Sequence, residues 1–240
     1  MNLRFTVKMY LKNRTTLLNI FVLLFLSILF TTCKNNVNTT DVSLQKEVQV
    51  VSGDYKSSYT IFPENSTIKW YGGFKFGSLE HNGLIKIKEG QLQMDGEKIV
   101  AGTIFIDMKS IKNVDISDAK ENIQLISHLK SKDFFYVDSF ANASLNIKKI
   151  VYPEIVAEQS NKENLCDVYA YLTIKGITHE INFPASYSFI NDQINIKTNF
   201  KIDRNKWGIN YSNASTINIL KEKIIDDMIT IDINVFAKKE

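Results

Sequence analysis

Apolar and polar residues alternate with period two over most of the chain beyond residue 60. In Val100 to Ile111, Ile104, Ile106 and Met108 fall on one face, and Thr103, Phe105 and Asp107 on the other. In Ala143 to Ile150, Ala143, Leu145 and Ile147 alternate with Ser144, Asn146 and Lys148. In Gln193 to Ile202, Ile194, Ile196, Thr198, Phe200 and Ile202 alternate with Asn195, Lys197, Asn199 and Lys201. In Met228 to Val235, Ile229, Ile231, Ile233 and Val235 alternate with Thr230, Asp232 and Asn234. Alternation of this length predicts strands with one buried and one wet face, which are usually antiparallel. Further strands are expected at Ile68 to Phe76, Gly83 to Lys88, Val168 to Lys175 and Glu180 to Phe189. Turn signals stand at Glu89-Gly90, Asp95-Gly96, Lys175-Gly176 and Asn191-Asp192, and Gly72-Gly73 inside a strand predicts a bulge or sharp bend.

Eight one-faced strands with few helices must close their sheet or stack two. An eight-stranded antiparallel β-barrel is the expected fold, its interior filled by side chains or holding a small ligand. One covering α-helix is predicted after the Val100 to Ile111 strand. Asp115 or Ser117 can cap it, Asp118 and Glu121 suit the positive end of its dipole, and Lys130 and Lys132 the negative end. Ala119, Ile123, Ile126 and Leu129 recur at helical spacing. A short strand at Glu47 to Val51 and a short helical or irregular piece at Ala214 to Lys223 complete the expected elements.

The N-terminus has a different composition. Arg4, Lys8, Lys12 and Arg14 precede an apolar run, Leu17 to Phe30, interrupted by Asn19 and Ser27. The run is short of the roughly 20 residues of a membrane span and fits the core of a secretory signal. Phe30-Thr31-Thr32-Cys33 follows, with a small residue before a single Cys, as at a bacterial lipoprotein cleavage site. The expected organisation is a signal peptide over 1–32, a polar tether over 33–58 beginning at lipidated Cys33, and a barrel over 59–240. The expected location is the bacterial cell envelope, at the periplasmic side or the outer membrane, with the protein attached through that anchor.

Export changes the charge. Of 29 basic residues, four lie in the signal, leaving 25 against 26 acidic ones, or about −1. Nothing in the composition of the processed chain then suggests a nucleic-acid partner, which needs a basic patch or stripe. With Cys33 lipidated, Cys166 has no disulfide partner and reads as a small buried residue.

Motifs for catalysis are missing. His81, His128 and His179 are far apart and have no metal spacing, and there is no nucleophile elbow, phosphate loop or dinucleotide fingerprint. No metal or cofactor is expected. His128 reads as a C-terminal helix residue satisfying loose carbonyls, or as a polar group at a cavity mouth. His81-Asn82-Gly83 reads as a turn that could also contact a ligand, and His179 as an exposed residue beside a hairpin. Asp203-Arg204 reads as an ion pair stabilising a turn, with Arg204 also able to meet a headgroup. Trp70, Phe74, Phe76, Ile104, Ile106, Phe134, Phe135, Phe183, Phe200, Trp207 and Tyr211 are candidates for core or cavity lining; in a barrel these are one space.

These residues resemble the YceI-like family of lipocalin-like polyisoprenoid-binding proteins, from about Tyr59 to the C-terminus. The resemblance rests on Tyr59-Thr60-Ile61, Ser66 to Trp70, His81-Asn82-Gly83, Ile106 to Ile111, His128-Leu129-Lys130-Ser131-Lys132-Asp133-Phe134-Phe135, Leu172 to Thr178, Ile202-Asp203-Arg204 and Trp207-Gly208-Ile209. The stretch from His128 to Phe135 is the most specific of them. Phe140-Ala141 stands where members commonly have Tyr-Pro, and Tyr169-Ala170 near a common Gly. A polar segment, Tyr152 to Asn164, lengthens one hairpin. The resemblance implies a lipocalin-like barrel with an elongated apolar cavity, an isoprenoid lipid or quinone-like ligand, and no catalytic residues to carry over. Each five-carbon unit buried would contribute roughly 4 kcal/mol gross. Two other functions remain open from the residues alone: a solidly packed interaction module, and a barrel hydrolase using His81 or His128.

Overall fold

The computed structural model describes residues 56–76, 79–153, 163–212 and 224–240. The expected signal, Cys33, the short strand at Glu47 to Val51, the piece at Ala214 to Lys223 and most of the Tyr152 to Asn164 segment lie outside them. All eight expected strands form, several longer than their alternation suggested: β2 (Thr67–Gly73), β3 (Glu80–Asp95), β4 (Lys98–Asn113), β5 (Asn142–Val151), β6 (Asn164–Ile174), β7 (Ile177–Ile190), β8 (Gln193–Asp203) and β9 (Met228–Lys239). A ninth, β1 (Ser57–Ile61), precedes them.

Every pairing is antiparallel, and the hydrogen-bonded order β3-β2-β9-β8-β7-β6-β5-β4 returns to β3. Eight staves therefore close a barrel with no free edge. The extra strand does not add a stave. β1 pairs with the end of β3 and the end of β9, and β2 with the beginnings of the same two strands. β1 and β2 lie end to end as one stave, interrupted at residues 62–66. Ser66 seals the break: its Oγ donates to the Phe62 carbonyl at 2.7 Å and accepts from the Phe236 N–H at 3.0 Å.

Glu89-Gly90 is not a turn. β3 runs through it, with a register shift against β4 between Ile87 and Glu89, so the glycine accompanies a bulge. The hairpin comes later, at Gly96 (φ 61°). Lys175 and Gly176 both have positive φ, as a two-residue type I′ hairpin requires, and Asn191 (φ 58°) begins the β7–β8 turn. Gly72 and Gly73 pair with His81 and Glu80 in unbroken register, so no bulge forms there, and β2 ends at Gly73, short of the expected Phe76. His81-Asn82-Gly83 is likewise strand and not turn. A Cβ on Gly83 would lie 1.8 Å from the Lys112 carbonyl and 2.6 Å from Trp70 Nε1. Glycine at this place lets β3 and β4 pass closely under the indole.

The single helix, α1 (Ala119–Lys130), is capped by Asp118, whose side chain accepts from the Glu121 N–H at 2.9 Å. Asp115, one of the two expected caps, instead bonds back to β3. Leu125, Ile126 and Leu129 pack inward, whereas Ile123 faces solvent. The alternation that defined the strands thus set faces correctly, but the helical face was rotated by a residue or two.

The barrel interior is uneven along its axis. Around the β3–β4 turn it is full: Leu92, Met94, Ile99, Ile194, Val235 and Ala237 are all buried. The Tyr152 hydroxyl donates to the Ile99 carbonyl at 2.8 Å and the Tyr187 hydroxyl to the Glu97 carbonyl at 3.0 Å, closing that end. Burial raises the pKa of both phenols. The other half, beneath α1, is hollow.

Candidate functional site

Inward-facing partners on successive staves line the hollow. Ile68 is opposite Ile85 and Ile233; Trp70 and Phe200 are opposite Ile231; Leu145 is opposite Ile104 and Leu172; Ile202 is opposite Ile229. With Ile87, Ile106, Met108, Ala143 and Ile174 they form an apolar wall around a cavity of about 470 Å³. Leu125, His128 and Leu129 of α1 and the Phe134-Phe135 pair close over it, with Phe74, Tyr211, Ser212, Ile225 and Asp226. A second void of about 50 Å³ sits deeper, between Phe183, Cys166, Leu92 and their neighbours.

The chain after α1 explains how both Phe rings reach the hollow. Ser131 closes the helix, its N–H and Oγ both donating to the His128 carbonyl. Phe135 N–H donates back to Leu129 and Val137 N–H to Lys130, and Tyr136 takes a positive φ of 47°. This tight knot turns Phe134 and Phe135 beneath the helix, ring centroids 5.4 Å apart, edge to face.

Eight of the eleven apolar candidates line the cavity: Trp70, Phe74, Ile104, Ile106, Phe134, Phe135, Phe200 and Tyr211. Three do not. Phe76 lies past the end of β2 and is 52% exposed. Phe183 stacks on Phe200 (4.4 Å, 12°) but faces the small deep void, because the barrel is already filled at its level. Trp207 belongs to a 3₁₀ helix (Arg204–Trp207) outside the strand alternation, where its Nε1 donates to the Leu172 carbonyl at 3.2 Å and His179 meets its ring edge to face. His179 is thus half-buried, its Nε2 2.8 Å from the Lys206 carbonyl, and not simply exposed.

Among the polar candidates, His81 and His128 line the cavity and Asn82 does not, since strand parity turns it outward. The Asn82 N–H donates to Asp115 Oδ1 at 2.8 Å, and its carbonyl accepts from Asn113 Nδ2 at 3.0 Å. His81 Nδ1 is 2.9 Å from Asp115 Oδ2. Burial pushes the Asp115 carboxyl up, but bonds from Asn82, His81 and Asn113 outweigh it and hold it below the usual carboxylate range. His128 does not spend its ring on helix carbonyls. Its ring meets Tyr211 (4.4 Å) and Phe134 (5.6 Å), and its buried Nε2, like Trp70 Nε1, has no hydrogen-bond partner among the described residues.

Arg204 touches the cavity wall but is wholly buried and already engaged. Nε donates to the Asp226 carbonyl (2.9 Å), Nη1 to the carbonyls of Ile209 (2.6 Å) and Tyr211 (2.9 Å), and Nη2 to that of Ile225 (3.2 Å). Its ion-pair partner is Asp227 at 3.7 Å; Asp203 instead caps the 3₁₀ helix through the Asn205 N–H. The side chain clamps two chain segments together. It has little capacity left for a phosphate.

Sequence reasoning missed much of the aliphatic wall, notably Ile229, Ile231 and Ile233. Their alternation was visible, but alternation does not distinguish a wall from a packed core. Among the described residues no three His, Cys, Asp or Glu side chains are placed to hold a metal.

A family model described as the YceI-like domain matches residues 59–237. The chain belongs to the YceI-like family. Two solved structures share the YceI-like barrel seen here. BcnA of Burkholderia cenocepacia is 19% identical with a TM-score of 0.55, covering 74% of this chain and 99% of its own. A polyisoprenoid binding domain from Saccharophagus degradans, implicated in plant cell wall breakdown, is 13% identical with a TM-score of 0.53, covering 77% of this chain and 100% of its own. At these identities the likeness concerns fold. No curated protein matches the sequence.

Proposed function

We propose that this protein binds an isoprenoid-type lipid, polyprenyl or quinone-like, in the apolar hollow of its barrel, and sequesters or carries it in the cell envelope. The observation behind this reading is the cavity of about 470 Å³, walled by aliphatic and aromatic side chains. At about 30 Å³ per water-sized group, it accommodates roughly 15 carbons, or three isoprene units. Their burial is worth about 12 kcal/mol gross, sufficient for useful affinity after the costs of association. The polyisoprenoid binding domain with the same fold supports the reading. The signal-like N-terminus and Cys33 support attachment of the carrier to a membrane.

The cavity's size favours a carrier over a solidly packed module. The hydrolase reading gains little from the His81–Asp115 pair: the carboxylate is committed to a network joining β3 to the start of α1, and no hydroxyl or thiol is among its hydrogen-bond partners. Organic extraction of the purified protein, followed by mass spectrometry, tests the proposal. A prenyl lipid recovered in near-stoichiometric amount is expected; its reproducible absence, together with failure to take up added prenyl alcohol or quinone, would overturn it.

A further inference from the structure

The two ends of the barrel differ in how much apolar surface they expose, while charged side chains stand at both, at the hollow end Glu80, Asp118, Lys120, Glu121, Lys132 and Asp133. At the closed end the turns and strand termini carry Asp95, Glu97, Lys98, Asp192, Lys238, Lys239 and Glu240. At the hollow end, large apolar side chains face solvent: Phe76 and Leu79 between β2 and β3, Val114 after β4, Ile123 on the outer face of α1, Tyr211 after the 3₁₀ helix and Met228 at the head of β9. Register places all of these connections at one end. Asn113, preceding Val114, is opposite Gly83 near the start of β3, and Met228 is opposite Asp203 at the end of β8. Only Leu165 and Ile190 among the described residues give comparable exposure at the closed end.

The collar is continuous with the cavity. Tyr211 both lines the hollow and is 46% exposed, and the His81 side chain, 25% exposed, marks the opening on the β3 side. Phe74, on the cavity wall, is two residues from Phe76. Exposed apolar surface beside the mouth of an apolar hollow has one simple physical use. It lets an apolar chain move between its source and the cavity without crossing water.

We infer that this collar is a docking face for a lipid bilayer, with Phe76, Leu79, Val114, Ile123 and Met228 entering the interfacial region while the cavity mouth faces the membrane. The inference rests on the lipid-carrier reading and adds the surface through which loading occurs. Insertion is driven by apolar burial and not by charge, so zwitterionic vesicles suffice and salt changes binding little.

Single tryptophans placed by substitution in the full chain, read as difference spectra against the parent, test it. With phosphatidylcholine vesicles, Ile123→Trp and Phe76→Trp should shift to shorter wavelength and be quenched by brominated acyl chains, while Ile190→Trp at the closed end should not. Quenching at both ends, or at neither, would overturn the inference. So would a concentration-dependent dimer abolished by Ile123→Asp, which would assign the collar to a second copy. A paired variant, Phe76→Asp with Ile123→Asp, should slow prenyl-lipid uptake from vesicles at least tenfold and leave uptake from detergent micelles unchanged. Equal loss from both sources would count against docking. If the parent takes up no lipid from micelles, the carrier reading fails, whereas the tryptophan result still decides the docking face.

Discussion

The Arg204 guanidinium carbon lies 6.0 Å from the centre of the Phe134 ring, joining the knot after α1 to the segment after β8. The two belong to different stretches of the sequence and meet at the cavity wall. The cation is fully buried, and its N–H groups hold four carbonyls in place. Arg204→Met should therefore destabilise the barrel by about 3–5 kcal/mol, because it leaves several carbonyls without donors and Asp227 with Lys75 in place of two cations. Arg204→Lys should recover only part of that, since one ammonium cannot span the same fork. Chemical denaturation measures both; a loss under 1 kcal/mol for Met would show the clamp to be dispensable.

Filling the hollow separates binding from stability. Ile231 lines the cavity between Trp70 and Phe200 and is only partly buried. Ile231→Trp should occupy space the ligand needs and weaken prenyl-lipid binding tenfold or more, with a stability change within about 1.5 kcal/mol. Leu92→Ala, in the packed half, should do the reverse: a loss of about 2–5 kcal/mol in stability and little change in affinity. Titration of both variants with a fluorescent prenyl lipid, beside their unfolding curves, checks the contrast.

Asp115 should contribute to acid sensitivity. Its carboxyl is held below its unfolded value of about 3.9. The stabilisation is therefore present above that pH and is lost as pH falls through the lower folded value. Asp115→Asn should lower stability at neutral pH by about 1 kcal/mol and flatten its dependence below about pH 4. Unfolding midpoints for both forms across pH 2–7 give the test; parallel curves would exclude the contribution.

Cys166 should be chemically silent in the native state. It is buried beside the deep void, and burial, with Asp167 nearby, pushes the thiol up to about 11. At pH 7.5 the thiolate fraction is then far below one per cent. Mass spectrometry of the Cys166 peptide after brief alkylation should find it unmodified in folded protein and fully modified in denaturant.

How much of this was legible beforehand depends on what alternation can report. Period two identifies strands and their inward faces, and all eight strands of that kind formed. It carries no information on height along the barrel, so Phe183 and Phe200, in stacking contact, could not be divided between packed half and hollow. Phe76 and Trp207 lie beyond strand ends, where parity stops applying. β1 escaped notice because five residues offer too few alternations, although Tyr59 and Ile61 are both buried. His81-Asn82-Gly83 imitated a turn because the Asn-Gly signal is local, whereas the close passage of Trp70 and Lys112 that requires Gly83 is not.

The divided stave carries a consequence for orientation. β1 begins at the closed pole, where Ser57 is opposite Met94, so the chain enters the barrel at the pole furthest from the opening. A label or partner fused ahead of Ser57 therefore enters the barrel at the closed end, on the opposite side from the mouth and its rim of exposed apolar side chains.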